Sequence, residues 1–146
     1  MKKTIGRKEK IDLKEWGITG VTAKVDTGAY TSSIHCEYAR EIQDGAKKVL
    51  HFIVLAPGHK HYKNQIISTE HFTQKKVKNS FGHTETRYKV VTTIGLLGME
   101  YETEFTLSER SKMKNPILLG RKTLKGKFLI DVDKVNLSSH HNKSGK

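Results

Sequence analysis

This sequence predicts a mostly β, single-domain protein with one or two short helical turns, and three observations lead there. The chain of 146 residues matches one core, since single domains take about 100 to 200 residues. Short apolar runs alternate with polar residues, as at Val21, Ala23 and Val25, which is the period-two pattern of a half-buried strand. Turn residues such as Pro57-Gly58 punctuate those runs, and stretches with a helical period are few.

In chain order, strands are expected over Lys10 to Leu13 and over Gly20 to Val25. Lys48 to Leu55 and Asn64 to Thr69 flank Pro57-Gly58, which predicts a hairpin. Further strands fit Thr86 to Ile94 and Tyr101 to Leu107, with Gly95 and Gly98 breaking the pattern between them. Pro116 to Leu119 reads as an apolar strand and Phe128 to Val132 as the last one. Helical turns are expected at Tyr38 to Ile42 and at Arg121 to Lys125. From Lys134 the chain turns polar, so the expected domain spans residues 1–133 and residues 134–146 form a frayed tail, with too little apolar surface to offset its ordering entropy.

The amino terminus is basic, but Gly6 to Lys10 is polar where a secretory signal needs an apolar stretch. No run approaches the roughly 18 apolar residues of a membrane span, so no membrane partner is expected. The lone Cys36 has no internal disulfide partner and suits a reducing compartment, which makes the cytoplasm the expected location. Against 15 Asp and Glu stand 27 Lys and Arg, a formal charge of +12 that attracts anionic partners at long range.

The chemistry concentrates in Ala23-Lys24-Val25-Asp26-Thr27-Gly28-Ala29. A carboxylate at a strand end, a hydroxyl and a glycine are what half of an aspartate dyad needs. Two such carboxylates sit close, share one proton and hold a water for attack on a peptide carbonyl. Asp-Thr-Gly is also an ordinary Asx turn, and the motif alone leaves both readings open. Pro116-Ile117-Leu118-Leu119-Gly120-Arg121 adds an apolar strand ending in Gly-Arg before a short helical turn. The order of the two motifs is the one found in retropepsin-type single lobes.

Taken with Thr31-Ser32, Val77, Ser80-x-Gly82, Arg87, Leu107-Ser108-Glu109-Arg110 and Met113, these motifs resemble a bacterial retropepsin-like family that carries the label ATP-dependent zinc protease. The likeness runs from Gly6-Arg7 to Asp131. It implies a closed retropepsin-like β-barrel and an aspartic peptidase with Asp26, Thr27 and Gly28 as catalytic residues. Ala29, Ser80, Gly82, Arg87, Arg110 and Arg121 are then expected to bind substrate. A family member implicated in trimming glutamate tails from a ribosomal protein implies an acidic or glutamate-rich polypeptide substrate. Lys75, Lys76 and Lys78 stand where the family leads one to expect some arginine, and lysine keeps charge without the bidentate grip on a carboxylate.

Neither half of the zinc and ATP label finds its motif. The run Gly120 to Phe128 has one residue too many for a phosphate-binding loop and Phe128 where the hydroxyl belongs. No His-Glu-x-x-His occurs, and His59-x-His61 or His35 with Cys36 lack further ligands at a recognisable spacing. No metal and no cofactor is expected. The residues next to Cys36 include no marked orienting base, so a buried structural thiol is expected there rather than a nucleophile.

If Asp26 is catalytic, the second carboxylate comes from another copy, and a two-fold homodimer is expected. Lys75, Lys76, Lys78, Arg87, Arg110 and Arg121 would then line the approach for an acidic peptide. Two segments qualify as the flap over substrate, the hairpin at Pro57-Gly58 and Asn79 to Thr84, with the second preferred. The rival readings are a non-catalytic binding module for nucleic acid or ribosomes, drawn from the charge, and a degenerate peptidase fold kept as a scaffold.

Overall fold

The computed structural model describes residues 1–78, 80–110 and 112–138. Ten strands and one α-helical turn follow in order: β1 (Lys3–Leu13), β2 (Ile18–Val25), β3 (Ser32–Asp44), β4 (Lys47–Val54), β5 (Ile67–Thr69), β6 (Phe72–Lys78), β7 (Thr84–Leu96), β8 (Met99–Ser108), β9 (Ile117–Leu119), α1 (Arg121–Leu124) and β10 (Phe128–Val135). A 3-10 turn at Lys14–Trp16 joins β1 to β2.

Six strands close a barrel. β1 pairs with β2, β2 with β9, β9 with β3, β3 with β8 and β8 with β7, and the bridge Asp12↔Gly95 returns β7 to β1. Closure removes the free edges that an open sheet would expose. Inward-pointing residues of alternating strands fill the interior, among them Val21, Ala23, Ile34, Val90, Ile94, Phe105, Ile117 and Leu119. Trp16 meets Phe52 edge-on at 5.4 Å between ring centroids, and Phe105 lies 6.0 Å from it. Each fully buried large apolar side chain contributes about 1.5 to 3 kcal/mol, so this cluster is the main source of stability.

The strand β3 is where the sequence reading fails. Tyr38 to Ile42 is not a helical turn but the outer half of β3, which pairs with β4 from Cys36↔Val54 to Asp44↔Lys47. A single helical turn forms few hydrogen bonds, whereas the hairpin satisfies the same backbone groups over its whole length, and tertiary pairing overrides weak propensity. The hairpin expected at Pro57-Gly58 does form, with β5 pairing β4 through Leu50↔Thr69, although β5 spans only Ile67–Thr69. β1 is longer than expected, and the lysine-rich β6 carries little apolar signal of its own.

Between β7 and β8, the break falls at Gly98, as expected, together with Leu97, whereas Gly95 stays within β7. Leu97 and Gly98 have positive φ, 56° and 74°, and Leu96 pairs with Met99 across a two-residue turn. At the other end, β10 runs parallel to β1 and extends to Val135, beyond the expected domain limit at residue 133. The fully buried carboxylate of Glu9 then accepts hydrogen bonds from the amides of Gly6 (2.7 Å), Leu137 (3.1 Å) and Ser138 (2.8 Å). Residues 139–146, the rest of the expected tail with its paired histidines, lie outside the described residues.

Among the described residues, no helix is long and apolar enough to cross a membrane.

Candidate active site

β2 delivers Asp26 to the surface. Ala23 and Val25 point into the barrel, so Lys24 and Asp26 project from its outer face, and Asp26 is partly exposed. The parallel pair Val25↔Leu119 carries β9 alongside, and the Asp26 amide donates to the Leu119 carbonyl at 2.9 Å. The loop then closes on itself. The amide of Gly28 donates to Asp26 Oδ1 at 3.0 Å, and that of Ala29 donates to the Asp26 carbonyl at 3.2 Å. One carboxylate oxygen is thereby fixed in direction.

The start of α1 holds the loop from beneath. The amides of Arg121 and Lys122 donate to the carbonyls of Ala29 (2.8 Å) and Tyr30 (2.9 Å). Arg121 Nη1 donates to the Thr27 carbonyl at 2.9 Å, and its guanidinium lies 5.7 Å from the centre of the Tyr30 ring. Gly120 makes this approach feasible, because a Cβ there would stand 2.6 Å from the Tyr30 carbonyl oxygen. Below the loop, the buried Ser32 hydroxyl accepts from the Gly120 amide at 3.0 Å and shares a hydrogen bond of 2.7 Å with Thr123. The two motifs read from sequence therefore meet in space.

Thr123 had no distinctive signal, and Ser32, although part of the family motif, gave no sign of this role until the fold set the two hydroxyls side by side. The engaged atom of Thr27 is its carbonyl, while its side chain is exposed.

The other expected site residues divide into two groups. Ser80 and Gly82 lie on the turn of the β6–β7 hairpin, where Gly82 has φ 80° and Phe81 is 83% exposed. Asn79 lies outside the described residues. Arg87 stands opposite Lys75 in that hairpin and pairs with Glu85 at 3.0 Å. Because side chains alternate, Lys76 and Lys78 project from the other face of β6 and do not join Lys75 and Arg87.

Arg110 meets the buried His35 just past the end of β8. Its amide donates to His35 Nδ1 at 2.6 Å, which places the ring proton on Nε2, 2.8 Å from Glu37. His35 is thus committed to protein partners. Cys36 Sγ donates to the Tyr38 carbonyl at 3.0 Å, and burial pushes its thiol pKa up, the state of an unreactive sulfur.

Two cavities flank the hairpin. One of about 410 Å³ is lined by Glu37, Glu85, Arg87, Tyr88 and Ser108, and the second, of about 440 Å³, by Thr73, Lys75, Arg87, Lys89 and Thr106. Lys122 of α1 donates to Glu104 on β8 at 3.0 Å, which raises the Lys122 pKa, and Lys89 approaches the same carboxylate at 3.8 Å.

A six-stranded closed barrel in which an Asp-Thr-Gly loop is stitched to a Gly-Arg strand end is a retropepsin-like lobe. The chain belongs to the RimB-like family, described as "Retropepsin-like aspartic endopeptidase RimB", whose profile matches residues 4–141. That description does not include the zinc and ATP label. The crystal structure of protein Lpg0085 of unknown function from Legionella pneumophila superposes with a TM-score of 0.75, covering 94% of this chain and 99% of that one at 24% identity. At that identity it supports the fold.

Among curated proteins, the "Probable alpha-L-glutamate ligase" of Desulfotalea psychrophila is 34% identical over 131 residues, 89% of this chain, and that of Shewanella pealeana is 32% identical over 133 residues, 87% of this chain. The chain spans only 28% of the length of either relative.

Proposed function

We propose that this protein is an aspartic endopeptidase that works as a homodimer, with Asp26 of two copies forming one dyad, and that it cleaves acidic, glutamate-rich polypeptide. The observation that carries this reading is Asp26 itself. It is a partly exposed carboxylate on the outer face of a strand end, held by a loop whose backbone is tied at Leu119, Gly28 and Arg121. The chain contains one such loop, so a dyad requires a second copy.

In the dyad the two carboxylates share one proton. The ionised Asp26 takes a proton from the water between them as its oxygen attacks the peptide carbonyl. The protonated Asp26 gives its proton to the carbonyl oxygen, forming a neutral tetrahedral diol. Collapse breaks the C–N bond, a carboxyl proton passes to the leaving nitrogen, and a diol hydroxyl returns its proton to the dyad.

The substrate class is supported by the charge of +12 and by the glutamate ligases that contain a stretch resembling this chain. Ligase activity belongs to those longer proteins, and a glutamyl product is a chemically consistent substrate for a peptidase. A glutamate-tailed ribosomal protein fits this class. The test compares wild type with Asp26→Asn on glutamate-rich peptides, together with sedimentation of both. Cleavage by a dimeric wild type and loss of at least about a thousandfold in the variant is expected. Equal cleavage by both would overturn the dyad.

A further inference from the structure

The sheet register places one row of residues across the outer face of the barrel. Lys24 on β2 is in register with Leu118 on β9, Leu118 with Ser33 on β3, Ser33 with Thr106 on β8, Thr106 with Lys89 on β7, and Lys89 with Thr73 on β6. Registered neighbours project to the same side of a sheet, and Asp26 follows Lys24 by two residues on that side. The row is therefore one surface that begins beside the catalytic carboxylate and ends under the β6–β7 hairpin.

Its chemistry is uneven. The middle carries Leu118, Ser33 and Thr106, of which Leu118 and Ser33 are buried and only Thr106 is partly exposed, so it offers no charge of its own. The two ends carry ammonium groups. At the hairpin end, Lys75 and Arg87 belong to the next row of the same face and line the same cavity of about 440 Å³ as Lys89 and Thr106. Glu104, two residues before Thr106, already receives Lys122 at 3.0 Å with Lys89 at 3.8 Å. Glu85 on the same face is taken by Arg87 at 3.0 Å, and the pair of ammoniums on Glu104 shows that lysines on this face can converge on a carboxylate.

We propose that Lys24 and Lys89 are specificity-determining residues that select carboxylate side chains in a polypeptide lying on the Asp26 face of the barrel. This assignment rests on the peptidase reading above and adds to it the residues that discriminate among substrates. The two lysines are separated by four strand-to-strand steps, about 19 Å along the curved sheet at the usual spacing of about 4.8 Å. A single carboxylate cannot meet both. An occupant with carboxylates at several positions can, so binding strengthens as consecutive glutamates are added until both ends are reached.

The test uses the full-length chain carrying Asp26→Asn, which blocks the proposed cleavage, and measures fluorescence anisotropy of labelled peptides of consecutive glutamates or of consecutive glutamines. Preference for the glutamate peptide is expected. Adding Lys24→Gln and Lys89→Gln weakens glutamate binding at least about tenfold and leaves glutamine binding unchanged. Lys47→Gln with Lys48→Gln, at the far end of the β3–β4 hairpin, removes equal charge and is expected to change glutamate binding less than about twofold, because exposed charges beyond a Debye length are largely screened. Lys24→Glu with Lys89→Glu turns the preference toward a lysine peptide, a gain that a misfolded variant would not show.

Equal weakening by the two lysine pairs, or no preference of the Asp26→Asn chain between glutamate and glutamine, would overturn the assignment. If wild type binds glutamate peptide through these lysines yet does not cleave it, the peptidase reading fails while the assignment stands.

Discussion

Arg121 Nη1 donates to the Thr27 carbonyl at 2.9 Å, joining the residue after the Gly120 strand stop to the loop that bears Asp26. Two segments separated by 94 positions in sequence thereby share one rigid turn, and the orientation of Asp26 depends on both.

Replacing Arg121 with Lys keeps the charge and loses the planar donor and the stacking against Tyr30. A hydrogen bond from a charged group contributes about 1.5 to 3 kcal/mol. Arg121→Lys is expected to lower kcat about tenfold or more and leave KM for a glutamate peptide within about twofold. An equal fall in affinity with kcat intact would instead make Arg121 a substrate contact.

Ser32→Ala leaves the buried Gly120 amide without its acceptor and removes the partner of Thr123. Leaving a buried group unpaired costs about 1 to 3 kcal/mol. Urea unfolding is expected to show that loss with an unchanged m-value, and activity should fall with it, because the strand beneath Asp26 loosens.

Glu9 predicts a separate, structural effect. Its buried carboxylate accepts three amides, two of them from Leu137 and Ser138, so it ties the end of the described chain to β1. Glu9→Gln turns a donor toward those donors and is expected to cost about 2 to 4 kcal/mol. Limited proteolysis should then cut after β10 before it cuts elsewhere.

The Thr92 hydroxyl donates to Glu15, the Thr93 amide adds a second bond at 2.9 Å, and together they lower the Glu15 pKa. A carboxyl group whose pKa is lower in the folded state adds stability above its unfolded pKa, about 4.3, and that stability is lost as pH falls through the folded value. Thr92→Val should raise the Glu15 pKa in an NMR titration. The stability gap between wild type and variant should narrow below about pH 4; a gap that stays constant with pH would show that Glu15 is not its source.

Much of the site was legible because its parts are local. Asp26-Thr27-Gly28-Ala29 and Leu118-Leu119-Gly120-Arg121 are contiguous strings whose strand, turn and glycine signals lie within a few residues. Tyr38 to Ile42 misled because a short mixed stretch has little intrinsic preference, and its partner β4 lies beyond the turn. β6 was silent for a related reason: Lys75, Lys76 and Lys78 have no apolar face, and pairing with β7 alone makes them a strand.

By itself, then, the sequence determined a mostly β chain, an acidic turn at Asp26, an apolar strand ending at Gly120 and a surplus of positive charge. Only the tertiary structure decided which of those charges share a face with Asp26. Lys76 and Lys78 turn away, while Lys24, which lies in the Asp26 motif without a role of its own there, and Lys89, which no motif marks, come into one row. The reason is geometric: the side-chain period in a strand is two, but the face a residue shares is set by register with strands distant in sequence, and that register is fixed only when the barrel closes.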